Sequence, residues 1–322
     1  VRGHILDVDL PDGYGWNNVN PIEIFDVEEF KIIIRDFRTY KKLRKFFLEN
    51  NGILVLATDN DSEGELIAYE ILTIWWNVKG RNAPYMRMRF NSVEEEEIKR
   101  AFINMEKDLN WRWVHKAILR RNFDLITGAA FTRYLTFLCR RLGINFNRVV
   151  SFGSCQSPTL YFIVKREKEI KTFEPVPFWV LELHGFINKT KITAVHEKEK
   201  FWDKDQAKRI LSKCSNKPGF IESVEKKQIV QNPPVPFDLT TLQTEVYRCH
   251  KIAPKTTLEI AQELYTSGYI SYPRTSSQQY PESIGYRKIL AKLTKNKDYS
   301  GLSKKILGMK VIKPNNGKKT DS

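Results

Sequence analysis

The sequence predicts an α/β domain followed by mostly helical domains and a small β-containing domain, which together make a multidomain chain. The apolar run at residues 53–57 leads through an acidic loop into a helix-like stretch, and this order is typical of α/β units. Residues 92–162 follow a helical pattern, whereas the stretch after Phe173 alternates as strands do. At 322 residues the chain is long enough for several cores. We therefore expect domains at residues 1–108, 109–172, 173–231 and 232–322.

The elements of the first domain follow from local signals. A short strand opens the chain and ends in a Pro-Asp-Gly turn at residues 11–13, and residues 30–34 form a second β-branched run. A helix is expected over residues 38–50, with Gly52 as its C-cap. The run at residues 53–57 is short and unbroken, which is typical of a buried parallel strand.

The later domains are separated by a change in composition. Residues 178–201 alternate apolar and polar side chains and predict strands. A Pro-rich connector at residues 231–238 marks a boundary or hinge. Two helices are expected beyond this connector, and Gly268 ends the second of them.

The charge of the chain favours a polyanionic partner. Lysine and arginine outnumber the acids 53 to 38, which gives a net charge of +15. The excess is concentrated between Trp111 and Glu174, where twelve basic residues face only four acids and aromatic residues lie between them. Phosphate contacts combined with stacking surfaces suit single-stranded nucleic acid.

Several functional classes are excluded by composition. No stretch reaches eighteen consecutive apolar residues, so we expect no membrane span. The four cysteines are widely spaced and form no CxxC pair, which argues against a zinc site or a disulfide framework. No GxxxxGK[ST] loop occurs, so we expect no bound nucleotide. These features predict a cytoplasmic protein.

The acidic loop at residues 59–65 is the first candidate site. It follows a predicted strand at the edge where open α/β sheets place their ligands. Asp59 and Asp61 point the same way in an extended loop and can converge on one cation, with Glu63 close by. Mg²⁺ prefers such carboxylates together with waters and phosphates. The alternative is helix capping, because acids before a helix satisfy its free amides.

The second candidate site is the stretch Tyr-Pro-Arg at residues 272–274. A tyrosine here is ordinarily a packing residue, but proline fixes the backbone and holds Arg274 near the phenol of Tyr272. A phenol has a pKa of about 10, so it needs help to lose its proton and attack phosphorus. A guanidinium beside it can bind the phosphate and offset the developing charge.

A third stretch, SFGSCQSPTL at residues 151–160, precedes a basic helix. Its small polar residues and proline suit a phosphate or sugar contact. Considered alone, the same stretch is an ordinary turn with an N-cap.

Taken together, these three stretches resemble the type IA DNA topoisomerases, and closely the topoisomerase III branch in its archaeal form. ATDNDSEGELIAYEIL is similar to the Toprim acidic motif of that family, and SFGSCQSPTL to its glycine-glutamine motif beside the DNA groove. The stretch from residue 240 to residue 277 resembles its helix pair and active-site loop. The resemblance covers nearly the whole chain in the family's order.

The resemblance implies a chemical role for the first two sites. Tyr272 is the expected nucleophile, which forms a 5′-phosphotyrosine link to one strand, and Arg274 stabilises the scissile phosphate. Asp59, Asp61 and Glu63 are expected to bind Mg²⁺ for positioning and religation.

The resemblance also implies contacts with DNA. Arg120 and Asp124 match an arginine-aspartate pair that lies one helical turn apart near the single-strand groove. Gln156 matches a groove-lining glutamine, Ser154 stands where many bacterial relatives have arginine, and Gln243 is a further expected contact. The implied partners are single-stranded and negatively supercoiled DNA, with a helicase as a candidate protein partner.

Part of the family pattern has no match in this sequence. The family's first Toprim strand, which carries a glutamate and a lysine, would lie before residue 1, and the later groove and hinge segments would lie after residue 322. We therefore expect a fragment or one piece of a split gene, which binds DNA but cleaves it poorly or not at all when alone.

Three other functions stay open at this point. The chain could be the topoisomerase half of a reverse gyrase, a non-catalytic DNA-binding scaffold of the same fold, or a Toprim nuclease or primase that uses the acids without the tyrosine.

Overall fold

The computed structural model describes residues 3–144, 148–280 and 284–320, and the chain folds into two compact units. The first unit joins Val1–Ser154 to Gln231–Ser322, and the second is Cys155–Val230. The chain thus leaves the first unit and returns to it. The predicted division into four domains stays a prediction. The two compact units do not test it, because the first unit contains both the first and the last segments of the chain.

The first unit begins with two antiparallel strands. Strand β1 (Leu6–Asp9) pairs with β2 (Lys31–Ile34), and Leu6 lies opposite Ile34. A 3₁₀ helix (Pro21–Asp26) lies between them along the chain. Both strands were predicted from the sequence and are confirmed.

Helix α1 (Phe37–Glu49) confirms the predicted helix, but the prediction of Gly52 as its C-cap is wrong. The C-cap is Asn50, which has an extended backbone, and its side-chain amide donates to the Phe46 carbonyl at 2.9 Å. Asn50 thus ends the helix with its own hydrogen bonds. Gly52 lies two residues further on, with φ at +149°, and takes no part in the cap.

A parallel strand pair carries the acidic loop. Strand β3 (Leu54–Leu56) pairs in parallel with β4 (Tyr85–Arg87), and helix α2 (Ser62–Lys79) is the crossover between them. The prediction of a parallel strand is confirmed, but burial is complete on one face only. Leu56 is 2% exposed in the core beneath α2, whereas Val55 on the opposite face is 37% exposed.

The core of the first unit joins α1, α2, β3 and the long helix α4 (Trp111–Arg141), which follows α3 (Glu95–Ile103). Its fully or nearly fully buried members include Ile5, Phe47, Leu72, Ile74 and Val114. A smaller cluster packs the middle of α4 against the chain around the 3₁₀ helix. Together these contacts hold the amino end of α2 and the first half of α4 in one body.

The returning segment adds four helices to the first unit within the described residues: α7 (Leu239–His250), α8 (Pro254–Thr266), α9 (Tyr286–Leu293) and α10 (Ser300–Leu307). The two helices predicted after the Pro-rich connector are confirmed. Helix α8 starts with Pro254 at its first position, where proline is favoured. Gly268, at φ +78°, closes a Schellman motif after α8, because the amide of Tyr269 donates to the Leu264 carbonyl.

The second unit contains α5 (Gln156–Lys171), a hairpin of β5 (Glu182–Ile187) and β6 (Thr190–Val195), and α6 (Lys204–Cys214). The strands predicted in this region are confirmed. Asn188 and Lys189 both have positive φ, as a two-residue turn matched to the twist of the strands requires. Among the helices that the structure describes, none is both long and apolar enough to cross a membrane.

Candidate active site

The acidic loop is closed by Asp61 and Gly64. One carboxylate oxygen of Asp61 accepts the Gly64 amide at 2.7 Å and caps α2, so helix capping is part of its role. Gly64 has no room for a side chain, because a Cβ there would lie 2.0 Å from the Asp59 carbonyl oxygen. The absence of a side chain at Gly64 therefore allows the main chain of Asp59 to pack against the first turn of α2.

A buried arginine holds the same loop from below. Arg87 is fully buried, and its guanidinium donates to the carbonyl oxygens of Thr58 and Asp59, each at 3.0 Å. It also pairs with buried Glu65 at 2.8 Å. Burial lowers the pKa of Arg87, and the charge of Glu65 opposes that shift. Arg87 was not predicted as a site residue from the sequence, and it lies at the end of β4, a strand that was not predicted either.

Tyr272 lies directly against the acidic loop. Its hydroxyl donates to the second carboxylate oxygen of Asp61 at 2.6 Å, and its amide donates to the Asn91 carbonyl at 2.8 Å. Burial first, and the bond to Asp61 second, raise the pKa of Tyr272, whereas the charge of Arg274 lowers it. The phenol is therefore held in its protonated form, with a carboxylate in place to accept its proton.

A second tyrosine contacts the other aspartate. Tyr265, in the last turn of α8, is only 2% exposed, and its hydroxyl donates to Asp59 Oδ1 at 3.3 Å. The rings of Tyr265 and Tyr272 meet edge to face, with centroids 5.2 Å apart. Burial raises the pKa of Asp59, repulsion from Asp61 adds to that shift, and the bond from Tyr265 opposes it. Tyr265 was not among the site residues predicted from the sequence.

Glu63 lies in a different set of contacts from the two aspartates. Its carboxylate accepts from His4 at 3.1 Å and lies 3.5 Å from Arg120. The other ring nitrogen of His4 contacts buried Glu70 at 3.0 Å, and this bond raises the pKa of His4 against the effect of burial. Glu70 also accepts hydrogen bonds from the backbone amides of Ile5 and Leu6. It therefore holds both the His4 ring and the main chain that follows it at the start of β1.

Three of the predicted DNA contacts are neighbours in the first unit. Arg120 lies 3.9 Å from Asp124, and Asp124 accepts a hydrogen bond from the Ser154 hydroxyl. Gln243, in α7, donates to the Pro254 carbonyl at 3.0 Å, which ties α7 to α8. Gln156 is the exposed first residue of α5 in the second unit.

The donor set of the acidic loop suits a hard divalent cation. Asp59 and Asp61 are close enough to repel each other, and a cation between them would relieve this repulsion. Within the described residues, no three histidine, cysteine or acidic side chains are gathered to hold a metal. The fit therefore rests on two carboxylates, which is the number that Mg²⁺ commonly takes when phosphates complete its ligands.

Two family models match the two stretches of the chain that contain these residues. A family model described as a Toprim domain matches residues 1–93, which include the acidic loop. A family model described as DNA topoisomerase matches residues 108–321, which include Tyr265 and Tyr272. The chain belongs to the type IA DNA topoisomerases. Its fold is therefore a Toprim domain joined to helical topoisomerase domains, as the resemblance implied, and Toprim domains bind divalent metal ions.

Similar proteins come from archaea, bacteria and animals. DNA topoisomerase 1 of Pyrococcus horikoshii is 36% identical over 303 residues, which are 92% of this chain and 44% of that protein. DNA topoisomerase 3-alpha of Drosophila melanogaster is 29% identical over 327 residues, 100% of this chain and 26% of that protein. Full-length topoisomerase I from Thermotoga maritima matches with a TM-score of 0.62 and 28% identity, over 91% of this chain and 48% of the other. This topoisomerase chain thus spans less than half the length of these relatives.

Proposed function

We propose that the chain carries the cleavage centre of a type IA topoisomerase, which cuts one DNA strand through Tyr272, passes another strand and reseals the first. The reaction depends on Mg²⁺, needs no ATP and relaxes negatively supercoiled DNA. The hydrogen bond between the Tyr272 hydroxyl and Asp61, 2.6 Å long, is the observation that supports this proposal most directly.

The proposed chemistry is a transesterification in which bonds balance. The Tyr272 oxygen attacks the phosphorus, and its proton passes to Asp61, which already accepts it in a hydrogen bond. The bond from phosphorus to the 3′ oxygen breaks, and that oxygen takes up a proton. The products are a 5′-phosphotyrosine and a free 3′-hydroxyl. Religation reverses each step, and no ATP is needed because the phosphotyrosine retains the energy of the phosphodiester.

Arg274 is the proposed electrostatic partner of the phosphate. Its positive charge lowers the pKa of both Tyr272 and Asp59, which indicates that it lies close to both groups. Its side chain is exposed and therefore accessible to a DNA backbone. A guanidinium in this position stabilises charge on the phosphate as the phenol oxygen attacks.

Asp59 and Asp61 are the proposed ligands of Mg²⁺, with Glu63 as a third. When bound, the ion neutralises phosphate charge and positions the strand for religation. Glu63 contacts His4 and Arg120 in the structure, so ligation by Glu63 requires it to leave these partners. Both oxygens of Asp61 already accept hydrogen bonds, one from the Tyr272 hydroxyl and the other from the Gly64 amide.

The proposed path of single-stranded DNA passes the first half of α4. Arg120 is 66% exposed in its side chain and lies beside Glu63, which joins the acidic loop to the basic face of this helix. Asp124, Ser154, Gln156 and Gln243 are the further proposed contacts. A helicase partner and association with the nucleoid belong to this same proposal.

A covalent trap tests the proposal. The chain is incubated with single-stranded DNA labelled at its 3′ end and with Mg²⁺ and then denatured, and label is sought on the protein. We expect a low yield of labelled protein that Tyr272→Phe abolishes. Tyr269→Phe is the matched control, because Tyr269 is three residues away and 78% exposed, and it is expected to keep the label.

Other outcomes identify the alternative functions. DNA binding without any label on the unmodified chain indicates a non-catalytic scaffold. Cleavage that survives Tyr272→Phe indicates a Toprim nuclease or primase. Robust plasmid relaxation by the chain alone would contradict the expectation that it cleaves DNA poorly by itself. A helicase module encoded next to this chain would favour the topoisomerase half of a reverse gyrase.

A further inference from the structure

We propose that Tyr265 is a positioning residue that orients the carboxylate of Asp59 toward a divalent cation. This inference rests on the proposed metal site and adds a residue that supports it without touching DNA or metal. The geometry that supports it is the hydrogen bond from the Tyr265 hydroxyl to Asp59 Oδ1, at 3.3 Å.

The position of Tyr265 is fixed by its surroundings. The residue lies in the last turn of α8, which a Schellman motif closes, and only 2% of its surface is exposed. A ring held on a closed helix end has little freedom to move. Its hydroxyl therefore presents a fixed donor to the acidic loop.

The contact joins two distant parts of the chain. Tyr265 and Asp59 are 206 residues apart in sequence, so the helix pair supports the Toprim loop directly. The main chain of Asp59 is already held by Arg87 and by the close approach of Gly64. The Tyr265 hydroxyl engages one oxygen of the Asp59 side chain, Oδ1, and within the described residues no hydrogen bond to Oδ2 is seen, so this oxygen can face another ligand.

Asp61 is held in a comparable way. One of its oxygens accepts the Gly64 amide and the other accepts the Tyr272 hydroxyl. Two tyrosines whose rings touch thus contact the two neighbouring carboxylates. In metal sites, hydrogen bonds to ligating groups orient those groups, and their loss typically lowers metal affinity about 10- to 100-fold.

Terbium(III) tests this role without a cleavage assay. It is a hard cation that binds oxygen ligands and luminesces when a nearby aromatic ring is excited. The dissociation constant is measured by luminescence for the unmodified chain and for Tyr265→Phe, which removes one oxygen atom and keeps the ring. We expect Tyr265→Phe to weaken terbium binding by about 10-fold or more.

Tyr85→Phe is the matched control. Tyr85 also donates its hydroxyl to an aspartate, Asp108, but it lies outside the acidic loop. It is expected to bind terbium as the unmodified chain does. Equal affinities for Tyr265→Phe and Tyr85→Phe would overturn the inference.

Two further measurements separate the possible failures. Asp59→Asn is expected to abolish binding, and if the unmodified chain binds no terbium, or Asp59→Asn binds it equally well, the proposed metal site itself fails. Should Tyr265→Phe not fold, Tyr272→Phe carries the test. Cation binding to that chain is expected to change the ultraviolet difference absorbance of the buried phenol of Tyr265. The absence of any tyrosine signal on saturation contradicts the role.

Discussion

Replacing Arg87 by methionine removes the cation that holds the acidic loop from below. Arg87 and Glu65 are both fully buried, 2.8 Å apart, and Arg87 also donates to the Thr58 and Asp59 carbonyls. Removing one partner of a buried ion pair costs about 3–5 kcal/mol. Glu65 keeps a second cation, Arg89, at 2.6 Å, so we expect the low end of this range, about 3 kcal/mol.

Urea unfolding followed by tryptophan fluorescence measures this loss. Five of the seven tryptophans report on the first unit: Trp16, Trp75, Trp76, Trp111 and Trp113. Lys31→Met is the control, since it breaks an exposed pair with Asp12 and is expected to leave the midpoint almost unchanged. Adding Glu65→Gln to Arg87→Met should recover part of the loss, because the buried charge is removed. If Arg87→Met unfolds at the same urea concentration as Lys31→Met, the supporting role of Arg87 is refuted.

Three further predictions concern the acidic loop and its basic neighbours. Gly64→Ala is expected to cost about 1–3 kcal/mol and to weaken terbium binding, because the new Cβ meets the Asp59 carbonyl; an unchanged urea midpoint and affinity would contradict this. The folded pKa of His4 is raised above its unfolded value of about 6.5. Its stabilising contribution is therefore complete below that pH and is lost as the pH rises through the folded pKa, so the difference in urea midpoint between the unmodified chain and His4→Gln should shrink as the pH is raised from about 6 through the folded pKa. Arg120→Ala should reduce the salt dependence of single-strand binding by about 0.7 in the log–log slope, whereas Arg248→Ala, which also breaks an exposed pair on a helix, should not.

Much of the local structure follows from periodicity and composition. The apolar run at residues 53–57 predicted a parallel strand, and the acids after it predicted a loop that leads into a helix. The segment around Tyr272 was predicted because proline and arginine follow the tyrosine directly. Each of these signals is formed by residues that lie within a few positions of one another, so each can be recognised within a single stretch of sequence.

The contacts that complete the site are not local. Tyr272 and Asp61 are 211 residues apart, and His4 and Glu70 are 66 apart, so no periodicity relates them. In the sequence, Tyr265 has the pattern of an ordinary packing residue on a helix. Its role depends on the hydrogen bond from its hydroxyl to Asp59, which the sequence does not show. Glu63 was grouped with the two aspartates by its place in the acidic motif and by the family resemblance, yet it is the second residue of α2 and contacts His4 and Arg120.

The polarity of the covalent link tests the central claim most directly. Single-stranded DNA labelled at one end only is cleaved, trapped with denaturant and separated from protein. If the Tyr272 oxygen attacks phosphorus and releases the 3′ oxygen, a 3′-end label stays on the protein and a 5′-end label leaves with a fragment that ends in a free 3′-hydroxyl. A 5′-end label retained on the protein, or any label retained by Tyr272→Phe, would contradict the account.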